Sequence, residues 1–281
     1  MGVNSSCQVV SHCRNKCVED STVVRATSSL PACFGETSSL WDKAETDTID
    51  CEHLPEEEPV SEYMGVWAES QSTSSRGVMT WPNGARYEGE RLHKLPHGYG
   101  THTFCGDCYE GEWVAGKRDG KGTLTQADGA NYVGQWVDDS KVGTGVEVWS
   151  DGAKYTGSYV AHKKHGEGLF EWSDGSSYKG QFVENKIQGE GLYVWNDGRA
   201  FRGQWKCSRM HGRGRYTWSD GRSYDGEYMD DMKHGYGIYQ WRDGTTYEGQ
   251  WRCGKQHGRG VSKDRSGRPR DGEWYEGKWV R

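Results

Sequence analysis

Apolar bulk is what this chain has least of. Only 33% of its 281 residues are hydrophobic, and its mean hydropathy is −0.97. That excludes a thick globular core and points to a structure in which few side chains are buried on both sides. No stretch approaches the roughly 20 apolar residues that a membrane-spanning helix needs. An excess of basic charge is missing too, since the net charge is −6. Residues 1–62 hold 4 of the chain's 35 Lys and Arg but 12 of its 41 Asp and Glu, leaving 31 basic and 29 acidic residues beyond them. Nucleic-acid binding needs a dominant basic surface and is not expected. No phosphate loop, nucleophile elbow or Glu-His zinc motif occurs. An enzyme is therefore not expected, and neither catalytic residues, nor a metal, nor a cofactor is assigned.

Rings and glycine are abundant instead: 14 Trp, 16 Tyr and 41 Gly, but only 5 Phe. They recur with a period of 23. Tyr109, Tyr132, Tyr155, Tyr178, Phe201, Tyr224 and Tyr247 each follow the last by that spacing, with Tyr87 22 residues before Tyr109 and Tyr63 24 before Tyr87. Each anchor opens aromatic-x-Gly-x-aromatic, as in Tyr178-Lys179-Gly180-Gln181-Phe182. A Gly-x-Gly pair follows, as in Gly235-Tyr236-Gly237, and then an aromatic and an Asp-Gly turn, as in Trp241-Arg242-Asp243-Gly244. Such a period signals an array whose units bury a core only against their neighbours.

Both segments of the unit alternate with period two, so each unit supplies two strands. Asp-Gly supplies a tight hairpin turn, and a longer loop around Asp230–His234 closes the other side. The expected fold is all-β: an elongated antiparallel meander of stacked hairpins forming one ribbon-like sheet. Glycine leaves room for a large ring on the neighbouring strand. Trp149, Trp172, Trp195, Trp218 and Trp241 are expected to form a ladder interleaved with the tyrosine anchors, as core packing rather than a binding groove.

These residues closely resemble the MORN (membrane occupation and recognition nexus) repeat family. The resemblance covers Tyr63 to Arg281, about nine repeats plus a terminal half-repeat, and is sharpest from Tyr132 to Gly244. The second unit replaces its turn aromatic with Phe104-Cys105-Gly106-Asp107-Cys108. The last reads as carrying an insertion, Lys263–Asp271, before a new anchor at Tyr275. The resemblance implies a non-enzymatic scaffold at a membrane or membrane–cytoskeleton junction that binds proteins and, in some relatives, phospholipid. It leaves open a phosphoinositide-binding module and a ciliary or cortical structural component similar to radial-spoke-head proteins. Protein partners stay unidentified, and homo-oligomerisation stays open.

Two features suggest contact surfaces. Basic residues recur in the longer loops, and Lys163, Lys164, Lys186, Arg209 and Lys233 are the candidates for binding anionic lipid or an acidic partner. The turn aspartates from Asp128 to Asp243 would line an opposite, acidic edge. His97, His165, His211, His234 and His257 share one repeat position. Neighbours there stand roughly 10 Å apart, two strand spacings, which suits loop hydrogen bonding and not one metal ion. Cys105-x-x-Cys108 is only half a metal site and reads as a substituted turn.

Residues 1–62 are expected to be a disordered acidic tail and linker, and 63–281 the repeat domain. The start, Met1-Gly2-Val3-Asn4-Ser5-Ser6-Cys7, fits the myristoylation pattern with Gly2 as acceptor. Cys7, with Cys13 and Cys17 beyond it, offers a thiol for palmitate. One acyl chain binds a membrane only marginally, and a second makes attachment stable. With no secretory signal pattern, the expected location is the cytoplasmic face of a membrane, with plasma membrane or cell cortex first and cilium or cytoskeleton as alternatives. Gly2→Ala should move the protein from the membrane to the soluble fraction, and Cys7→Ser should weaken its retention. Unchanged fractionation of Gly2→Ala would rule out acyl anchoring.

Overall fold

The computed structural model describes residues 75–281. Nineteen strands and no helix make up this part, from β1 (Ser75–Thr80) to β19 (Lys278–Trp279). Each strand pairs antiparallel with its neighbours in sequence. β1 pairs only with β2 (Arg86–Leu92), and β19 only with β18 (Pro269–Tyr275), so the sheet is open at both ends. The expected meander is what forms. The unit proposed to open at Tyr63, and the boundary between 62 and 63, lie outside the described residues.

One unit shows why the sequence folds this way. In β10 (Ser177–Val183) and β11 (Lys186–Val194), Tyr178 faces Tyr193 and Gly180 faces Gly191. Gly180 also faces Gly168, and Gly191 faces Gly203. The same pairing runs across the sheet from Gly77 to Gly272. The Tyr178 ring lies back over this glycine column, fully buried, and its hydroxyl donates to the Gln181 carbonyl at 3.2 Å. Tyr109, Tyr155, Tyr224 and Tyr247 repeat that bond at 3.0–3.1 Å. A Cβ on Gly191 would enter the Tyr178 ring.

The first glycine of each Gly-x-Gly pair has a different task. Pairing shifts between Gly180 and Phe182, so that residues 188–190 of β11 lie opposite Gln181 alone. Gly189, at φ +70°, makes this bulge. The Gln181 side chain folds over it and accepts a hydrogen bond from the Glu190 N–H at 3.3 Å. Gln204 does the same for Arg213 at 3.0 Å.

The rings form two ladders. One runs Tyr87–Trp113–Tyr109–Trp136–Tyr132–Tyr159 and onward to Tyr247–Trp274, edge-to-face throughout. The expected tryptophan ladder forms the second, but its partners are not the anchors. Trp149, Phe170, Trp172, Tyr193, Trp195, Tyr216, Trp218, Tyr239 and Trp241 alternate with centroids 4.5–5.6 Å apart. The interleaving rings come from the second strand of each unit, two residues before each Trp. The anchors are already committed over the glycine column.

Three further expectations are corrected. The tight turns and the longer loops are exchanged. Asp230-Asp231 forms a two-residue turn with φ of 48° and 66°, and Glu184-Asn185 and Asp138-Asp139 do likewise. This is the left-handed pair of a type I′ hairpin. The Asp-Gly connection is the longer one: in Trp172–Ser176, the Trp172 N–H donates to the Ser176 carbonyl and the Gly175 N–H to the Trp172 carbonyl. The last unit carries no insertion. Arg270 stands 23 residues after Tyr247, Gly272 faces Gly260, and Trp274 is buried. Tyr275 is 64% exposed rather than an anchor. Trp279, returning on β19, lies over Gly272 where the missing anchor ring would be, with the Arg270 guanidinium 3.9 Å from its centroid.

Gly191→Ala should lower stability to urea by about 2 kcal/mol or more through overpacking. Gly175→Ala meets no atom within 4 Å and only a positive φ, so it should cost about 1 kcal/mol. Equal losses would contradict the ring-over-glycine packing.

Candidate functional site

Strand alternation divides the five candidate cations between two faces. Lys163, Lys186 and Arg209 each open a second strand at the type I′ edge and are exposed. Each faces the last residue of the preceding strand: Val160 with Lys163, Val183 with Lys186, Lys206 with Arg209. Val114, Val137, Val160, Val183 and Met229 are exposed along the same edge. The edge therefore shows an apolar side chain at five of these positions, three of them opposite a cation, while Lys206 and Arg252 occupy two others. Period alone could have revealed these valines, but a single exposed valine gives no signal.

This edge is partly neutralised. Lys163 lies 3.7 Å from Glu184 of the next turn, and Lys117 and Lys255 pair with Asp138 and Glu276 at 3.1 and 3.0 Å. Lys186 and Arg209 have no such ion pair among the described residues.

Lys164 and Lys233 point the other way, onto the rings. Lys164 Nζ sits 4.6 Å from the Trp149 centroid and 5.4 Å from Phe170. Lys233 Nζ is ringed by Tyr239, Trp251, Trp218 and Tyr224 at 4.7–5.5 Å. Arg118 and Lys141 occupy the same column, over Trp136 and Tyr132. The five candidates share the longer loops in sequence, and the structure separates Lys164 and Lys233 from the other three. Ile187 and Met210 fill the column in intervening units, Ile187 buried. The slot thus takes either a cation on ring faces or an aliphatic side chain. Burial pushes the Lys233 amine down to about 8 and lowers that of Lys164.

The opposite edge is not simply acidic. Asp128, Asp151, Asp174, Asp197, Asp220 and Asp243 each accept the N–H two residues on, at 2.8–3.1 Å. They are turn-formers first. Arg199 and Arg222 fold back onto Asp197 and Asp220 at 2.6 and 2.8 Å, so that edge carries both signs.

The histidines bring no metal site together, and no metal-binding cluster occurs among the described residues. His97 Nδ1 accepts the Ala115 N–H at 3.5 Å, and His211 lies 3.9 Å from Asp230. Cys105 and Cys108 are free thiols, with Cys105-Gly106 forming a tight turn in place of an Asp-Gly loop. Gly2 and Cys7 lie outside the described residues.

A family model of the MORN repeat matches nine segments: residues 75–86, 87–108, 109–130, 132–154, 155–177, 178–198, 201–221, 224–246 and 247–267. No curated protein matches the chain. Among solved structures, the SAS-4 (dCPAP) TCP domain of Drosophila melanogaster, in complex with a proline-rich motif of Ana2 (dSTIL), is similar with a TM-score of 0.33 and 10% identity. That likeness covers 59% of this chain and 97% of that one. The TCP10 domain of Danio rerio CPAP gives a TM-score of 0.27 and 15% identity over 70% and 100%. Likeness at this level establishes no common fold.

Lys233→Met should stabilise the protein at neutral pH by on the order of 1 kcal/mol, because Met210 already shows that the slot accepts a thioether and no charge is then buried. The Lys233 amine titrates lower folded than unfolded. Its burial penalty is full below about pH 8 and fades as pH rises toward the unfolded value of about 10.4. The gain should shrink over that window in urea melts. A gain that grows with pH would contradict the assignment.

Proposed function

Because the chain belongs to the MORN-repeat family, as nine matched units across residues 75–267 show, we propose that it is a non-enzymatic scaffold held at a membrane by its amino terminus. MORN-repeat proteins are generally scaffolds without catalytic activity, often associated with membranes or phospholipid. The observation that supports this reading is the type I′ edge. It sets an exposed apolar residue opposite a cation in three units, Val114 with Lys117, Val160 with Lys163 and Val183 with Lys186, along a sheet whose ring face is already filled by its own side chains. A surface of that kind suits an extended partner or a membrane plane better than a small substrate.

In this reading Gly2 and Cys7 carry the acyl anchor, and residues 1–62 give reach. Lys163, Lys186 and Arg209 meet the partner or the cytoplasmic leaflet. Lys164 and Lys233 serve the ring packing instead. A phosphoinositide-binding role is the second reading, favoured by the unpaired Lys186 and Arg209.

The test uses the full chain with Gly2→Ala, so that acylation plays no part. It should co-sediment with vesicles containing phosphatidylserine or phosphoinositide, less so as salt rises. Each cation near such a surface contributes about 1 kcal/mol. Changing Lys163, Lys186 and Arg209 together to Ser should therefore weaken binding roughly a hundredfold, while Lys233→Met leaves it unchanged. No binding at low salt would leave the edge as a protein-contact surface and refute the lipid reading.

A further inference from the structure

The second ring ladder stops at Trp241, and what surrounds its end differs from every unit before it. Trp195 and Trp218 each have two neighbours on their C-terminal side. The next ring, Tyr216 or Tyr239, lies 5.2 or 5.6 Å away. The arginine four residues on, Arg199 or Arg222, sets its guanidinium 5.4 or 5.2 Å from the indole. Trp241 has neither. Thr245 stands where Arg199 and Arg222 stand, and Ser262 where Tyr216 and Tyr239 stand. The following Trp is replaced by Asp264.

A cleft of about 710 Å³ opens at this point, lined by Trp241 together with Arg222, Arg242, Lys263, Arg268 and Arg270. Its two carboxylates are already engaged. Asp243 accepts from the Thr245 hydroxyl at 2.7 Å and pairs with Arg265 at 3.1 Å. Asp264 accepts from the Ser266 hydroxyl at 2.6 Å and the Arg268 N–H at 3.0 Å. Arg242, Lys263 and Arg268 have no ion pair among the described residues. The cleft therefore offers a half-buried indole without the next ladder ring or a covering guanidinium, beside three cations that have no ion pair among the described residues.

We propose that this cleft binds a nucleoside di- or triphosphate. The base stacks on Trp241 in the place of the missing ladder ring, and the phosphates meet Arg242, Lys263 and Arg268. Stacking on an aromatic side chain tolerates any base, while guanidinium forks match phosphate oxygens. A bare polyphosphate would use only the cations, and a nucleoside only the indole. The site lies at the Asp-Gly edge, apart from the type I′ edge, and does not depend on the membrane reading.

The test is equilibrium titration of the full chain with ATP, adenosine and inorganic tripolyphosphate at low salt. ATP should bind saturably, with adenosine and tripolyphosphate each at least roughly fivefold weaker, the loss expected when one stacking contact goes. Thr245→Arg restores the guanidinium found over Trp195 and Trp218. It should bring ATP down to the affinity of tripolyphosphate without weakening tripolyphosphate itself. The double change Arg242→Ser, Arg268→Ser should weaken both. Trp172→Ala, inside the ladder, should leave ATP binding as it is. The proposal is overturned by the absence of saturable ATP binding at millimolar concentration. It is equally overturned by tripolyphosphate binding as tightly as ATP, or by Thr245→Arg leaving ATP affinity unchanged.

Discussion

Everything in this sheet depends on one contact: an aromatic anchor lying flat over two glycines that face each other across a strand pair. With hydrogen in place of a side chain at Gly180 and Gly191, the Tyr178 ring can rest on the backbone itself. Its hydroxyl then reaches the carbonyl three residues on, so even the polar end is satisfied. A single sheet with one ring-covered face has no opposing layer to bury its core. Rings packed edge-to-face along the sheet, each adding about 0.5–1.5 kcal/mol beyond its buried area, stand in for that layer. A bulge accompanies the glycine pair inside a unit, with residues 188–190 set against Gln181 alone, whereas the glycine pairs between units carry none.

That arrangement decides where charge can go. Residues opposite the rings see solvent, and residues on the ring side see π faces. A basic residue therefore has two different fates one position apart. Lys163 is exposed and reaches Glu184, whereas Lys164 lies against Trp149. The scaffold reading rests on the first kind of residue and gains nothing from the second. The ladder's end at Trp241 follows the same logic in reverse. Trp241 lacks its next ring neighbour, and Arg242, Lys263 and Arg268 beside it have no ion pair among the described residues.

Most of the fold was legible because the pattern is local. Period-two alternation, the 23-residue interval and turn residues between segments are properties of short stretches, and a meander joins only neighbours. What escaped was assignment among equivalent-looking choices. Asp-Gly is a strong hairpin signal, but here Gly175 closes the longer loop, and two-residue turns are made by Glu184-Asn185 or Asp230-Asp231. Tyr275-Glu276-Gly277-Lys278-Trp279 repeats the anchor spelling, yet the sheet is in phase with Arg270 and Gly272. Register follows the glycine column, and a one-residue slip there would put every ring on the wrong face.

The sequence by itself determined the all-β class, the hairpin meander and the repeat family, since each is written in spacing that needs no distant contact. It also determined that rings rather than aliphatic side chains would form the core. Only the tertiary structure decided which rings meet, because Trp172 touches Tyr193 from the following unit rather than an anchor. It alone divided the candidate cations, separating Lys163, Lys186 and Arg209 at one edge from Lys164 and Lys233 among the rings. The physical reason is that the edge and face a residue occupies depend on which connection is the tight turn, and pairing settles that only once two strands are laid side by side.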